Sequence, residues 1–281
     1  MKVFTIFLND IHYGQFKEVE DYFLVKGNIF VVADGVTRDP LKYRNFAGKT
    51  IAELLKYYPQ PSPARIAAEK FCQKFISYLN NRKKVDAATI KKAFIFGNNY
   101  IQQLNKRNIK KVDYLINDYW ACVASGGVIV KNKLYWGGIG DCGLIVWDRQ
   151  GKIKWQTPNW LKPLKDYLKW HPGDWAKPSR RKWIRSKFRN KLGLIIKGQN
   201  IAYGVLTGEK TAKHFIYTGE IDLKRGDTII FYSDGCECLL RRKEFIRQIK
   251  NKNKIIKFAK KLGKLNYKKY GHERTLVVIA V

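Results

Sequence analysis

The sequence predicts an α+β protein: a four-layer α-β-β-α sandwich in which two antiparallel sheets are flanked by helices. Three observations lead there. Short apolar runs of strand length open the chain, return in its middle and close it, with helical stretches between them. Several of these runs are joined by tight polar turns, which favours antiparallel pairing. The helical stretches come in consecutive groups instead of alternating with strands, so they cover sheets from outside rather than crossing between parallel strands.

Taken in order, residues 3–8 alternate as a strand. Tyr22–Val25 and Ile29–Ala33 form a hairpin around the turn "KGN". Helical periodicity then covers about Phe46–Tyr57, Pro63–Asn80 and Ala87–Lys106, with the proline-rich loop "PQPSP" between the first two. Ala121–Val130, Leu134–Ile139, Leu144–Trp147 and Lys152–Gln156 return to strand patterning, separated by turns such as "KNK" and "DRQG". After the turn signal "KRGD" comes the strand Thr228–Tyr232. A basic helix or pair of helices spans roughly Arg242–Leu265, with apolar positions such as Phe245, Ile255, Ala259 and Leu262 that suit amphipathic packing. Thr275–Val281 is the last strand.

Between about Thr157 and Ile201 the pattern breaks. This stretch is rich in Trp, Pro, Lys and Arg and has no clean periodicity. It reads as an insertion packed onto a single domain that spans residues 1–281. From Lys162 to Lys197 its only acids are Asp166 and Asp174, and Trp155, Trp160, Trp170, Trp175 and Trp183 interleave with the cations. Aromatics among cations suit single-stranded nucleic acid. More often such tryptophans pack an insertion onto its domain, leaving the cations to dock a substrate, to form a lid or to be solvated without a specific role.

Composition narrows the class. With 45% hydrophobic and 14% aromatic residues, the 281-residue chain can bury a sizeable core. No apolar run reaches the ~18–20 residues that span a bilayer, and the first ten residues do not read as a signal peptide. The cysteines are Cys72, Cys122, Cys142, Cys236 and Cys238, an odd number scattered through apolar segments. That argues against a disulfide framework and for a reducing, cytoplasmic setting. The net charge of +32 implies attraction to anionic partners: phosphorylated or acidic protein, nucleic acid, or an acidic membrane surface.

Three apolar strands end on aspartate beside glycine: "FVVADG" at Asp34, "WGGIGD" at Asp141 and "IIFYSDG" at Asp234. A fourth acidic pair, Glu20-Asp21, opens the strand that hairpins with the one ending at Asp34. Clustered carboxylates repel unless a cation compensates. Hard divalent ions such as Mg²⁺ and Mn²⁺ prefer such oxygen donors. A glycine after the aspartate leaves room for its carbonyl to approach a metal.

In order, "EVEDYFLV…NIFVVADG", "NKLYWGGIGDCGLIV", "GDTIIFYSDG" and "ERTLVVIAV" resemble the conserved blocks of PPM-type metal-dependent protein phosphatases (protein phosphatase type 2C). The resemblance covers most of the chain outside 157–201. It implies a β-sandwich flanked by helices and a binuclear Mn²⁺ or Mg²⁺ centre. It also implies hydrolysis of phosphoserine or phosphothreonine by a metal-bound hydroxide. On this resemblance Asp34 bridges both metals, Gly35 supplies a carbonyl ligand to the second, and Asp234 binds the first. Glu20 and Asp21 hold metal-bound waters. Asp141 supports the site from outside the ligand set, and Asp118 is the candidate for a third ion.

The chain also departs from that pattern. "GHERT" puts His272 at a ligand position that is normally Asp, with Glu273 after it as an alternative donor. The arginine that binds the substrate phosphate in many members is missing. Phe16 falls near its register, leaving Lys17 or Arg38 as candidate phosphate binders. The expected function is a serine/threonine phosphatase acting on an acidic phosphoprotein. The alternatives are a catalytically impaired binding or scaffold protein, or a basic nucleic-acid-associated protein, on the same fold.

Overall fold

In a computed structural model, residues 1–8, 19–36, 60–110, 112–114, 120–173, 178–266 and 273–281 are described. The expected helix at Phe46–Tyr57 lies outside them, as do Lys17, Arg38, Asp118 and His272.

The described strands form two five-stranded antiparallel sheets. One is ordered β1-β12-β11-β6-β7, from Lys2–Leu8 (β1), Gly143–Trp147 (β6), Ile153–Gln156 (β7), Thr228–Tyr232 (β11) and Arg274–Ala280 (β12). The other is ordered β10-β5-β4-β3-β2, from Tyr22–Lys26 (β2), Ile29–Gly35 (β3), Cys122–Val130 (β4), Lys133–Ile139 (β5) and Tyr217–Asp222 (β10). Their facing surfaces share one core, in which Phe30, Val32, Leu134 and Trp136 meet Leu144, Ile229, Phe231 and Val277.

Helices cover the outer faces. Pro63–Asn80 (α1) and Ala87–Asn108 (α2) lay Phe71, Phe75 and Phe94 against Val31 and Ala33 of β3. Beyond the other sheet are Glu237–Leu240 (α5), Lys243–Gln248 (α6) and Lys252–Leu265 (α7). They bury Phe245, Ile255 and Ala259 against Ile6, Ile230 and Val278. This is the expected α-β-β-α layering. Strand β3 reads as one apolar run because both its faces are covered: alternate residues serve the inter-sheet core and the helices. Asp34 continues the parity of Phe30 and Val32, which sets it on the inter-sheet side at the end of the sandwich.

Residues 157–201 hold more regular structure than their sequence suggests. Lys162–Lys169 (α3) and Pro178–Phe188 (α4) form helices, followed by the small ribbon Ile195–Ile196 (β8) and Gln199–Asn200 (β9). Leu164, Leu168, Ile184, Phe188 and Ile201 pack as a cluster of their own. Trp160 stacks on Tyr217 of edge strand β10 at 4.5 Å, and Trp155 lies 4.5 Å from Trp136. These tryptophans anchor the segment, whereas Trp170 is 85% exposed. Trp175 lies outside the described residues.

All five cysteines are free, four of them buried. Among the described residues, no helix is long and apolar enough to cross a membrane.

Candidate active site

Strands β3 and β11 belong to different sheets, yet both deliver an aspartate to the same end of the sandwich. Asp34 sits on the last turn of β3, and Asp234 follows β11 in a short 3₁₀ turn, Asp234–Cys236. Glu20 and Asp21, ahead of β2, are 4% and 1% exposed. Asp141 lies in the turn between β5 and β6, and Glu273 immediately precedes β12. The end-of-strand positions thus gather residues far apart in sequence.

Hydrogen bonds fix the acidic pair. The Glu273 carboxylate accepts from the backbone N–H of Glu20 at 2.9 Å and of Asp21 at 3.0 Å. Ser233 donates its hydroxyl to Asp21 Oδ2 at 2.7 Å and accepts the Thr275 N–H at 3.0 Å. Ser62, the N-cap of α1, donates to Glu20 Oε1. Arg65, one turn into α1, donates to the Asp21 carbonyl and lies over the Tyr22 ring at 4.5 Å. Ser62, Arg65 and Ser233 were missed by sequence reasoning. Only Ser62 carried a local signal, an N-cap serine before proline at the first helical position.

Two glycines are required by chain packing. A Cβ on Gly35 would sit 2.5 Å from the Ala64 carbonyl oxygen and 2.8 Å from that of Glu20. A Cβ on Gly235 would collide with the Glu273 carbonyl. Each Asp-Gly pair therefore lets a neighbouring acidic segment press against a strand end.

The cluster is electrostatically unfavourable as it stands. Burial pushes Asp21 up to about 7, and the charge of Asp234 adds to the rise against the Ser233 hydrogen bond. Asp141 is pushed to about 7 by burial and by Asp234, with Lys165 opposing. Glu273 reaches about 8, from burial and then the charge of Asp21, against the hydrogen bonds to the Asp21 and Glu20 amides. Asp34 is raised well above the ordinary carboxylate range by burial, then by Asp21, Asp234, Asp141 and Glu273.

An all-oxygen set of mutually repelling carboxylates fits a hard divalent cation in charge and donor chemistry. The side-chain geometry is looser: among the described residues no three His, Cys, Asp or Glu side chains form a metal-holding group. Glu273 is engaged with backbone amides, which suits a residue that positions the acidic pair. Asp34 and Asp141 line a cavity of about 380 Å³ together with Arg181, Arg185 and Arg189 from and just after α4.

No protein-family model matches the chain, and no curated protein matches it. Solved structures do. The serine/threonine phosphatase PstP/Ppp of Mycobacterium tuberculosis is 14% identical with a TM-score of 0.62, over 99% of this chain and 97% of that one. The catalytic domain of PstP with two manganese ions gives 13% and 0.62, over 99% and 96%. RsbX with magnesium gives 12% and 0.52, over 98% and 92%. The architecture built above is thus that of PPM-type serine/threonine phosphatases, matched over nearly the full chain.

Proposed function

We propose that this chain, which carries the PPM-type phosphatase fold, is a metal-dependent serine/threonine phosphatase that hydrolyses phosphomonoesters of proteins. The observation that carries the reading is the gathering of Asp21, Asp34, Asp141 and Glu273 around Asp234 at one end of the sandwich, where burial and the neighbouring negative charges disfavour the ionised forms of those four. Manganese or magnesium is the compensating cation. Asp34 and Asp234 would hold it with the Gly35 carbonyl, and Glu20 and Asp21 would hold its waters. Bound there, the cations supply charge for the phosphoryl oxygens and lower the pKa of water.

The chain's own groups do the rest. Asp34 projects from a strand locked on both sides by β2 and β4, so its carboxylate is held without a cost in order at the moment of reaction. Glu273 and Ser233 fix the backbone and carboxylate of the acidic pair. Ser62 orients Glu20, and the Arg65 charge offsets part of the negative field at Asp21.

The test is hydrolysis of an aryl phosphate with Mn²⁺ or Mg²⁺ titrated in, comparing the parent protein with Asp34→Ala and Asp234→Ala. The expected result is metal-dependent turnover that both substitutions abolish. Undiminished turnover in Asp34→Ala sinks the assignment. The engagement of Glu273 with backbone amides and the unusual His272 favour a second reading, a PPM-fold binding protein with impaired chemistry. That reading predicts metal binding without turnover in the parent protein.

A further inference from the structure

At the other end of the strands from the carboxylates, a larger cavity opens. The β2–β3 turn, the loop between α1 and α2, and the β4–β5 hairpin meet around a volume of about 730 Å³. Ile29, the first residue of β3, lines it. Asp34 lies five residues further on, roughly 17 Å along a strand that rises about 3.3 Å per residue. The cavity shares no lining residue with the one that holds Asp34 and Arg181.

Two chemistries meet in it. Ile29, Leu79 and Val128 make an apolar floor, and all three belong to the core that α1 and α2 share with the sheet. Arg82, Lys83 and Lys84 from the α1–α2 loop and Lys131 and Lys133 from the hairpin make a cationic rim. Among the described residues, no aspartate or glutamate lines the cavity. Lys133 is held from β10, by Glu220 at 2.7 Å and Asp222 at 3.5 Å. Asp86, at the end of the loop, is occupied as the N-cap of α2, accepting the Thr89 N–H at 2.7 Å. Arg82 lies over the Tyr78 ring at 4.2 Å. Arg82, Lys83, Lys84 and Lys131 are exposed and form no ion pair among the described residues. Cations gathered from separate segments repel one another unless an anion compensates. Asn28, Asn80 and Asn132 add amides, which both donate and accept.

We infer that this cavity binds a nucleoside polyphosphate. The lysines and Arg82 take the phosphates, the apolar floor takes the base, and the asparagine amides meet the base's polar edge. An acidic peptide would use the rim alone, and an apolar ligand the floor alone; a nucleotide uses both. The volume falls in the range of small-molecule pockets. No residue of the carboxylate cluster contributes, so the inference stands apart from the phosphatase reading.

The experiment is isothermal titration calorimetry of the whole chain in a chelator, which prevents metal-bound nucleotide from docking at the carboxylates. The probes are ATP, inorganic tripolyphosphate, adenosine and a single-stranded oligoadenylate. They are offered to the parent protein, to the double variant Lys84→Glu/Lys131→Glu, and to Lys260→Glu and Arg181→Glu. Lys260→Glu reverses a charge on the exposed side of α7, and Arg181→Glu reverses one at the other cationic cavity. The parent is expected to bind ATP about tenfold more tightly than either tripolyphosphate or adenosine, the scale of one well-made group of contacts. Lys84→Glu/Lys131→Glu should weaken ATP by about tenfold or more, while Lys260→Glu and Arg181→Glu keep the parent affinity.

Thermal melting checks that each variant folds, and should the double charge reversal unfold, Lys84→Ala/Lys131→Ala carries the same test. ATP binding that the double variant leaves unchanged overturns the inference. Equal affinity for ATP and tripolyphosphate also overturns it, because the base then contributes nothing. So does loss of ATP binding in Arg181→Glu, which would move the ligand to the other cavity. Tighter binding of the oligoadenylate than of ATP through Lys84 and Lys131 would assign the cavity to nucleic acid instead.

Discussion

Ser233 donates its hydroxyl to Asp21 Oδ2 at 2.7 Å, joining the end of β11 in one sheet to the start of β2 in the other. The same oxygen accepts the Thr275 N–H at 3.0 Å, so one side chain ties three strand ends together around a buried carboxylate. Replacing Ser233 by alanine strands Asp21 Oδ2 and the Thr275 amide. A loss of about 1–3 kcal/mol is expected, read by urea unfolding of the metal-free protein. An unchanged midpoint would show that this link is dispensable.

Stability of the metal-free protein should fall as pH rises from about 4 to about 8. Asp21 and Asp141 move from 3.8 to about 7, and Glu273 from 4.5 to about 8. Over that window the folded chain holds more protons than the unfolded chain, so raising the pH favours unfolding. Thermal melts in a chelator should therefore drop between pH 5 and pH 8. Adding Mn²⁺ at pH 8 should recover the loss, because a ligand that binds only the folded state stabilises it. A metal-free melt that rises across this range would contradict the carboxylate picture.

Glu273 and its amide analogue should separate positioning from charge. Glu273→Gln leaves an oxygen where the Glu20 and Asp21 amides need an acceptor and removes a charge that Asp21 opposes. At pH 8.5 it should melt no lower than the parent. Glu273→Ala removes the acceptor and should cost about 1–3 kcal/mol. Equal losses in both variants would assign Glu273 a role that needs its negative charge.

Gly35→Ala should destabilise by about 1–3 kcal/mol, because the new methyl meets two carbonyl oxygens in a packed strand end. Differential scanning calorimetry gives the comparison. A neutral outcome would mean that the α1 N-terminus and the Glu20 segment shift aside at little cost.

Trp160→Ala should loosen residues 157–201 from the β10 edge, since the ring stacks on Tyr217 and packs over Gly138. Limited trypsin digestion should cut within this lysine- and arginine-rich segment faster than in the parent, with the sandwich left intact. Unchanged cleavage kinetics would place the anchor elsewhere, at Trp155 on Trp136.

What could be read from the residues alone follows from how completely each element is buried. Strand β11 is buried at all five positions and bounded by "KRGD" and "SDG", so its limits were legible. Strand β10 was not foreseen. Among the described residues it is an edge strand paired only with β5, and of its own residues Ile221 alone is buried, which leaves almost no alternation to detect. Helix α4 was hidden for another reason: Arg185 takes one of its buried positions, so the inward face does not read as apolar. Its arginines at four-residue spacing were the available signal. In the candidate site, Asp34, Asp141 and Asp234 announced themselves by ending apolar strands on Asp beside Gly. The serines and Arg65 around Asp21 come from distant segments, and only the pairing of the two sheets brings them together.

Among the described residues, strand β1 has a single neighbour, β12, with Lys2 opposite Ala280. Strands β2 to β5, with Asp34 near the end of β3, all fall within residues 22–139 and can pair before the later strands are made. The sheet leading to Asp234 cannot close until Arg274–Ala280 emerges, because β12 stands between β1 and β11. Such non-local closure slows folding. Strands β2 to β5 can thus pair from residues 22–139 alone, whereas the sheet leading to Asp234 waits for residues 274–280.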